Sequence, residues 1–172
     1  MRFGELAALR TENLNLLRGS ITVVETLSEV GGHISSGPPK TAASRRQVSL
    51  PRYLVEHLRK HMGTYGPGDN NRVFTAPMGG PLRRTLFRRR VWLPAVNESV
   101  GQPCRFHDLR HSHVALLIAE GTHPKIIQAR LGHASIGTTL DVYGHLFDGL
   151  DEAAADSLDA AIAESGVGFL WG

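Results

Sequence analysis

Between Cys104 and Leu146 the chain reads CRFHDLRHSHVALLIAEGTHPKIIQARLGHASIGTTLDVYGHL, and this run constrains the fold more than any other. Apolar residues recur there at helical spacing in three successive segments. HDLRHSHVALLIAEG, entered after Pro103 and Phe106, places His107, Arg110, Val114 and Leu117 at helical intervals. One edge of that helix can serve a site while Leu116, Leu117 and Ile118 enter a core. HPKIIQARLG turns Ile126, Ile127 and Leu131 inward and stops at Gly132, with His133 emerging directly after the stop. ASIGTTLDVYGHLF is a further helix, and it carries Tyr143.

The residues so delivered have a shared chemistry. An arginine grips two non-bridging phosphate oxygens in a fork, and imidazoles donate hydrogen bonds and move protons. A phenol can attack phosphorus and hold a covalent intermediate. The ordered set His107-x-x-Arg110, Leu131-Gly132-His133 and Tyr143 resembles the carboxyl-terminal catalytic half of the tyrosine recombinases, the phage integrase family. The resemblance runs from residue 1 to about residue 147. It implies a mainly α catalytic domain with a small three-stranded antiparallel β-sheet.

The opening MRFGELAALRTENLNL reads as a helix ending before Asn13, with Phe3, Leu6 and Leu9 on one face. Arg2 and Glu5 share a face at i, i+3, so the carboxylate can orient the guanidinium. Arg-x-x-Glu resembles the family's first catalytic arginine with its supporting acid. Family members carry further catalytic-domain helices and a DNA-clamping domain upstream of this arginine. Only Met1 precedes it here, so the chain is expected to be a fragment or a truncated product.

From Ile21 the pattern becomes β-branched alternation. ITVVETLSEV, a Gly31-Gly32 turn and HISS read as a hairpin, and RQVSL supplies a third strand before Pro51. Between the second and third strands lies GPPKTAASRR. Lys40 matches the family's hairpin lysine, which protonates the leaving oxygen, and Thr41, Ser44, Arg45 and Arg46 fit backbone-phosphate contacts. RYLVEHLRKHMGTYG is a core helix with Leu54, Leu58 and Met62 inward. RRTLFRRRVWLPAV forms a basic helix with Leu86, Val91 and Trp92 as anchors. Its Arg83, Arg84, Arg88, Arg89 and Arg90, five cations without an acid, read as contacts to a duplex backbone.

Charge supports a polyanionic partner. All 19 Lys and Arg, with ten of the 16 acids, precede Asp148, a net of +9; the remainder carries six acids and neither cation, a net of −6. That remainder, DGLDEAAADSLDAAIAESGVGFLWG, reads as an acidic helix with Leu150, Leu158 and Ile162, then an apolar end at Phe169, Leu170 and Trp171. It is expected to form a separate carboxyl-terminal segment over residues 148–172, folded on its own core or passed to the next protomer. The single cysteine, Cys104, excludes an internal disulfide and a thiolate metal cage. No run spans a bilayer and no secretory pattern opens the chain, so a cytoplasmic home is expected.

The resemblance implies a site-specific recombinase acting on double-stranded DNA as a tetramer, without metal or nucleotide cofactor. Its catalytic set is Arg2, Lys40, His107, Arg110, His133 and Tyr143, supported by Glu5. Three other readings stay open: a DNA-binding remnant without catalysis, a type IB topoisomerase-like strand transferase, and a metal-dependent hydrolase. The last would use His107 and His111 at i, i+4, but Asp108 stands where that zinc motif needs glutamate. His111, His113 and His145 read as satisfied core or surface histidines.

Overall fold

Residues 14 to 49 form two small antiparallel sheets. The computed structural model describes residues 1–39, 41–147 and 150–165. Strands β1 (Leu14–Asn15), β2 (Ser20–Val23) and β5 (Arg46–Ser49) make a three-stranded sheet in the order β1-β2-β5, with Ile21 opposite both Leu14 and Val48. Strands β3 (Thr26–Val30) and β4 (His33–Gly37) form a separate two-stranded sheet among the described residues. The long strand expected from Ile21 to Val30 is therefore broken at Val24-Glu25, and RQVSL pairs with its first half, not with HISS. Glu25 explains the break. Its carboxylate accepts from Arg10 Nε and Nη2 at 3.0 and 3.1 Å and from Ser36 Oγ, which turns the chain between the sheets. The Gly31-Gly32 turn is present, with φ of 55° and 80°, the two positive angles that a tight hairpin turn requires.

Helix α1 is short, Phe3–Ala7, because Arg10 leaves it to bridge Arg72 and Thr11–Asn13 forms a 3-10 turn. It lies against the hairpin through Ala7, Ala8 and Leu27, backed by Phe3, Ile34 and Leu82. The approach is close at Gly4, where a Cβ would stand 2.5 Å from the Leu27 carbonyl oxygen. Helix α2 (Arg52–Tyr65) packs Leu58 against Ile21 and Val23 of the three-stranded sheet, with Leu9 and Val73 completing that core. Leu54, expected inward, is 38% exposed.

The basic segment runs as α3 (Arg84–Phe87), a π turn over Arg88–Trp92, and α4 (Leu93–Ser99). The π turn adds a residue to the repeat and rotates the inward face. Leu86 and Val91 consequently point outward, whereas Phe87 and Trp92 join Phe3 and Phe106 in an aromatic cluster with centroids 5.2–5.7 Å apart. Trp92 Nε1 donates to the Cys104 carbonyl at 2.7 Å.

Helices α5 (Asp108–Ala119), α6 (Pro124–Leu131) and α7 (Ile136–Tyr143) enclose a third core of Val114, Ile118, Ile127, Leu131 and Tyr143. Leu116 and Ile126 are exposed, contrary to the helical reading. Helix α8 spans Leu150–Ser165. Phe169, Leu170 and Trp171 lie outside the described residues, as do Lys40 and the side chain of His145.

Candidate active site

Arg2 stands at the N-cap of α1 and Glu5 at its third position. Glu5 Oε2 accepts from the Arg2 backbone N at 2.8 Å, and Oε1 from Arg2 Nη1 at 3.0 Å. The same carboxylate takes both ends of the Arg46 fork, Nη1 at 3.1 Å and Nη2 at 2.9 Å. Arg46 also donates through Nε to the Arg130 carbonyl at 2.8 Å and through Nη1 to that of Ser44 at 2.9 Å. Arg2 keeps 43% of its side chain exposed, against 2% for Glu5 and 6% for Arg46. Arg46 is thus not a free cation for a DNA phosphate, as its place in a basic loop had suggested. It is a bracket that fixes Glu5, and Glu5 in turn fixes Arg2. Burial would push the Glu5 carboxyl up, but hydrogen bonds from Arg46 and the Arg2 backbone, with the Arg46 charge, hold it down to about 2.

Arg110 rises from the first turn of α5 and is 6% exposed. Its Nη2 donates to the Leu131 carbonyl at 2.6 Å and meets His133 Nε2 at 3.2 Å. The Leu131 carbonyl is available because Gly132 ends α6 in the left-handed region, φ 68°. Arg110 Nη1 is buried and has no hydrogen-bond partner among the described residues. Burial first, then the charge of Arg2, lowers the Arg110 pKa to about 10. Two guanidiniums therefore repel across this space.

His133 has its ring fixed on both sides. Arginine has only donors, so Nε2 facing Arg110 must be an acceptor. Nδ1 then carries the proton and donates to Thr139 Oγ1 at 3.0 Å, a buried hydroxyl on α7. Burial and the charges of Arg110 and Arg2 lower the His133 pKa to about 4. Gln128 Nε2 donates to the His133 carbonyl at 3.1 Å and holds the turn.

Tyr143 is the last residue of α7 and 5% exposed, its ring in the third core. Its oxygen lies 2.6 Å from His111 Nδ1. Burial raises its pKa, and the nearby Arg110 charge works against that rise. His107 is exposed at the N-cap of α5, its ring 5.1 Å from His111 and edge-on to it. Burial, His111, Arg110 and Arg2 all lower its pKa.

The structure thus groups Arg2, Glu5, His107, Arg110, His133 and Tyr143. Two further residues join the group in roles the sequence did not give them: Arg46, read as a phosphate contact, pairs with Glu5, and His111, read as a satisfied core or surface histidine, meets Tyr143. Arg46 had a signal, since it shares a strand face with buried Val48 two residues on. His111 had none, because only the docking of α7 brings a phenol to it. Among the other predicted contacts, Arg45, Arg84, Arg88, Arg89 and Arg90 are exposed. Arg83 is half tied down, donating to the Gly32 carbonyl at 2.7 Å and pairing with Glu29 at 3.4 Å. Among the described residues, no three His, Cys, Asp or Glu side chains gather as metal ligands would.

Residues 1–149 match the profile of the Phage integrase family. The chain is 34% identical over 169 residues to the ICEBs1 integrase of Bacillus subtilis, covering 92% of this chain and 45% of that protein. It is 28% identical over 146 residues to the tyrosine recombinase XerC of Xylella fastidiosa, covering 85% and 44%. The chain spans about half the length of the relatives it matches. Its fold is shared with the Tn1549 transposon integrase, solved in complex with circular intermediate DNA, at a TM-score of 0.74 and 22% identity over 93% of this chain and 56% of that one. XerA recombinase shares it at a TM-score of 0.65 and 19% identity, over 98% and 54%. The fold, the ordered motifs and the span of the match agree: the chain belongs to the phage integrase family, the tyrosine recombinases.

Proposed function

We propose that this chain is the catalytic part of a site-specific DNA recombinase that cuts and rejoins strands through a 3′-phosphotyrosyl link. One observation carries the reading. The charge of Arg2 bears on Arg110, and the buried Arg110 Nη1 has nothing to donate to among the described residues. Such an arrangement is stabilised when an anion enters between the two cations, and Tyr143 stands on the same side of α5 as a nucleophile. A scissile phosphodiester meets both needs.

In this mechanism Tyr143 attacks phosphorus and the 5′ oxygen departs. Arg2 and Arg110 neutralise the non-bridging oxygens as charge builds there, and His133 orients Arg110. Preorganised donors of this kind contribute on the order of 3 kcal/mol each. Lys40, which precedes β5 in the sequence, is our candidate for the acid that protonates the leaving oxygen, and His107 for a further phosphate contact. No bond energy is lost to water, so a 5′-hydroxyl of another strand reverses the step and gives recombination. The exposed arginines of the α3–α4 segment hold the duplex backbone. We further infer assembly as a tetramer on DNA, with α8 and the residues after it docking on a neighbouring copy. Among the described residues no helix is long and apolar enough to cross a membrane, and we place the activity in the cytoplasm.

The test is a nicked suicide duplex, from which the cleaved end diffuses away and traps the adduct. A covalent protein–DNA species that disappears in Tyr143→Phe supports the reading. A salt-sensitive mobility shift without adduct would leave only a DNA-binding remnant, and relaxation of supercoiled plasmid without strand exchange would favour the topoisomerase-like alternative.

A further inference from the structure

His111 takes no part in the mechanism above, yet of the described side chains it is the one that touches the nucleophilic atom. Its Nδ1 lies 2.6 Å from Tyr143 Oη, with ring centroids 5.6 Å apart and the planes inclined at 50°. The contact is held from both ends. Tyr143 is locked among Val114, Ile118, Ile127 and Leu131, and His111 projects from α5 one residue after buried Arg110. A buried phenol O–H needs an acceptor, and His111 Nδ1 is the one this packing supplies. His107, the histidine of the His-x-x-Arg element, reaches the His111 ring instead.

We propose that His111 is the general base for Tyr143, an inference that rests on the recombinase reading. The Tyr143 O–H bond breaks and its proton passes to His111 Nδ1, leaving an imidazolium. The phenolate electron pair forms the new bond to phosphorus. The bond from phosphorus to the 5′ oxygen breaks, its electron pair stays on that oxygen, and the acid opposite supplies a proton. In rejoining, phenolate departs and the imidazolium returns the proton. Burial raises the Tyr143 pKa, so the phenol keeps its proton at neutral pH and a base has work to do. The titratable and charged groups around His111 are His107, Asp108 and Arg110 on or beside its own helix and Tyr143 across from it.

The experiment uses the full chain and a pool of nicked suicide duplexes of randomised sequence, with the covalent adduct read on denaturing gels. His111→Ala is expected to slow adduct formation by about 100-fold or more, the usual effect of losing a general base. His111→Asn places a hydrogen-bonding atom close to where Nδ1 stood but cannot accept the proton, so it should be equally slow, and its melting temperature shows whether the fold survives. From about pH 7 to about pH 9 both variants should recover with hydroxide while the wild type changes little. Full activity in His111→Asn, or no recovery with pH, overturns the base role and leaves the recombinase reading intact. Absence of any adduct from the wild type overturns both. A readout without DNA is the imidazole ¹⁵N spectrum. His111 Nδ1 should be unprotonated at neutral pH and its resonance should move in Tyr143→Phe; a protonated Nδ1 in the wild type overturns the proposal.

Discussion

Arg46 and Glu5 form a buried two-point ion pair, 2.9 Å from Nη2 to Oε2 and 3.1 Å from Nη1 to Oε1. Through it a strand residue positions two distant parts of the site. Glu5 fixes Arg2 on α1, and the third Arg46 nitrogen holds the Arg130 carbonyl, two residues before Gly132.

Removing one partner leaves the other charge buried and uncompensated. Arg46→Ala is therefore expected to destabilise the fold by about 3–5 kcal/mol, read from urea unfolding. Glu5→Ala should fall in the same range, and the double variant should cost clearly less than the sum of the two. Strict additivity would show that the pair is not coupled as its geometry requires.

Gly132 has two reasons to lack a side chain. Its φ is 68°, and a Cβ would stand 3.0 Å from both the Ala43 carbonyl oxygen and Arg46 Nη1. Gly132→Ala should cost about 1–3 kcal/mol through backbone strain. It should also lower Tyr143 adduct formation, because it displaces Arg46 and the His133 turn together. A variant of unchanged stability would show that the turn relaxes freely.

Much of this was legible in the sequence, for identifiable reasons. Gly132 stops a helix and His133 is the first residue beyond it, and Gly31-Gly32 is a turn whose chemistry is local; such features need no tertiary context. The split of the Ile21–Val30 strand was hidden because Glu25 breaks it by pairing with Arg10, 15 residues away. Leu86 and Val91 misled because a π turn changes the helical repeat without any local signal in the side chains. His111 could not be told from an ordinary histidine until α7 laid Tyr143 against it.

Stability should fall in two stages as pH drops. His133 has a folded pKa of about 4, below its ordinary 6.5, so between those values only the unfolded chain takes the proton and stability declines. His107 and His113, shifted in the same sense, add to that slope. Glu5 falls from 4.5 to about 2, so its contribution is complete above the ordinary carboxylate range and is lost progressively as pH drops from there through about 2. Urea midpoints from about pH 7 to about pH 3 should show both stages, with His133→Asn flattening the upper one and Glu5→Gln the lower. A midpoint independent of pH between the ordinary histidine value and the folded His133 value would contradict the His133 assignment.

The exposed arginines make a prediction about salt. Each cation that neutralises a phosphate contributes about −0.9 to the slope of log affinity against log salt. In an α or a π turn alike, residues two apart point to nearly opposite sides, as Arg88 and Arg90 do, whereas Arg84 and Arg88 are about one turn apart and share an edge. A duplex backbone laid along one edge leaves the other edge unengaged. Arg84→Gln and Arg88→Gln should therefore behave alike, and Arg90→Gln should differ from them. If the Arg84–Arg88 edge faces DNA, each of those two variants lowers the slope by about 0.9. Arg83→Gln should lower it less, because Glu29 and the Gly32 carbonyl already hold that guanidinium. Arg46→Gln should weaken the fold without changing the slope of the molecules that remain folded, its guanidinium being turned inward. Filter binding across about 50 to 200 mM salt measures all five. Equal slopes in every variant and the wild type would mean that this segment does not touch the nucleic acid, and the positive surface would have to be sought elsewhere on the domain.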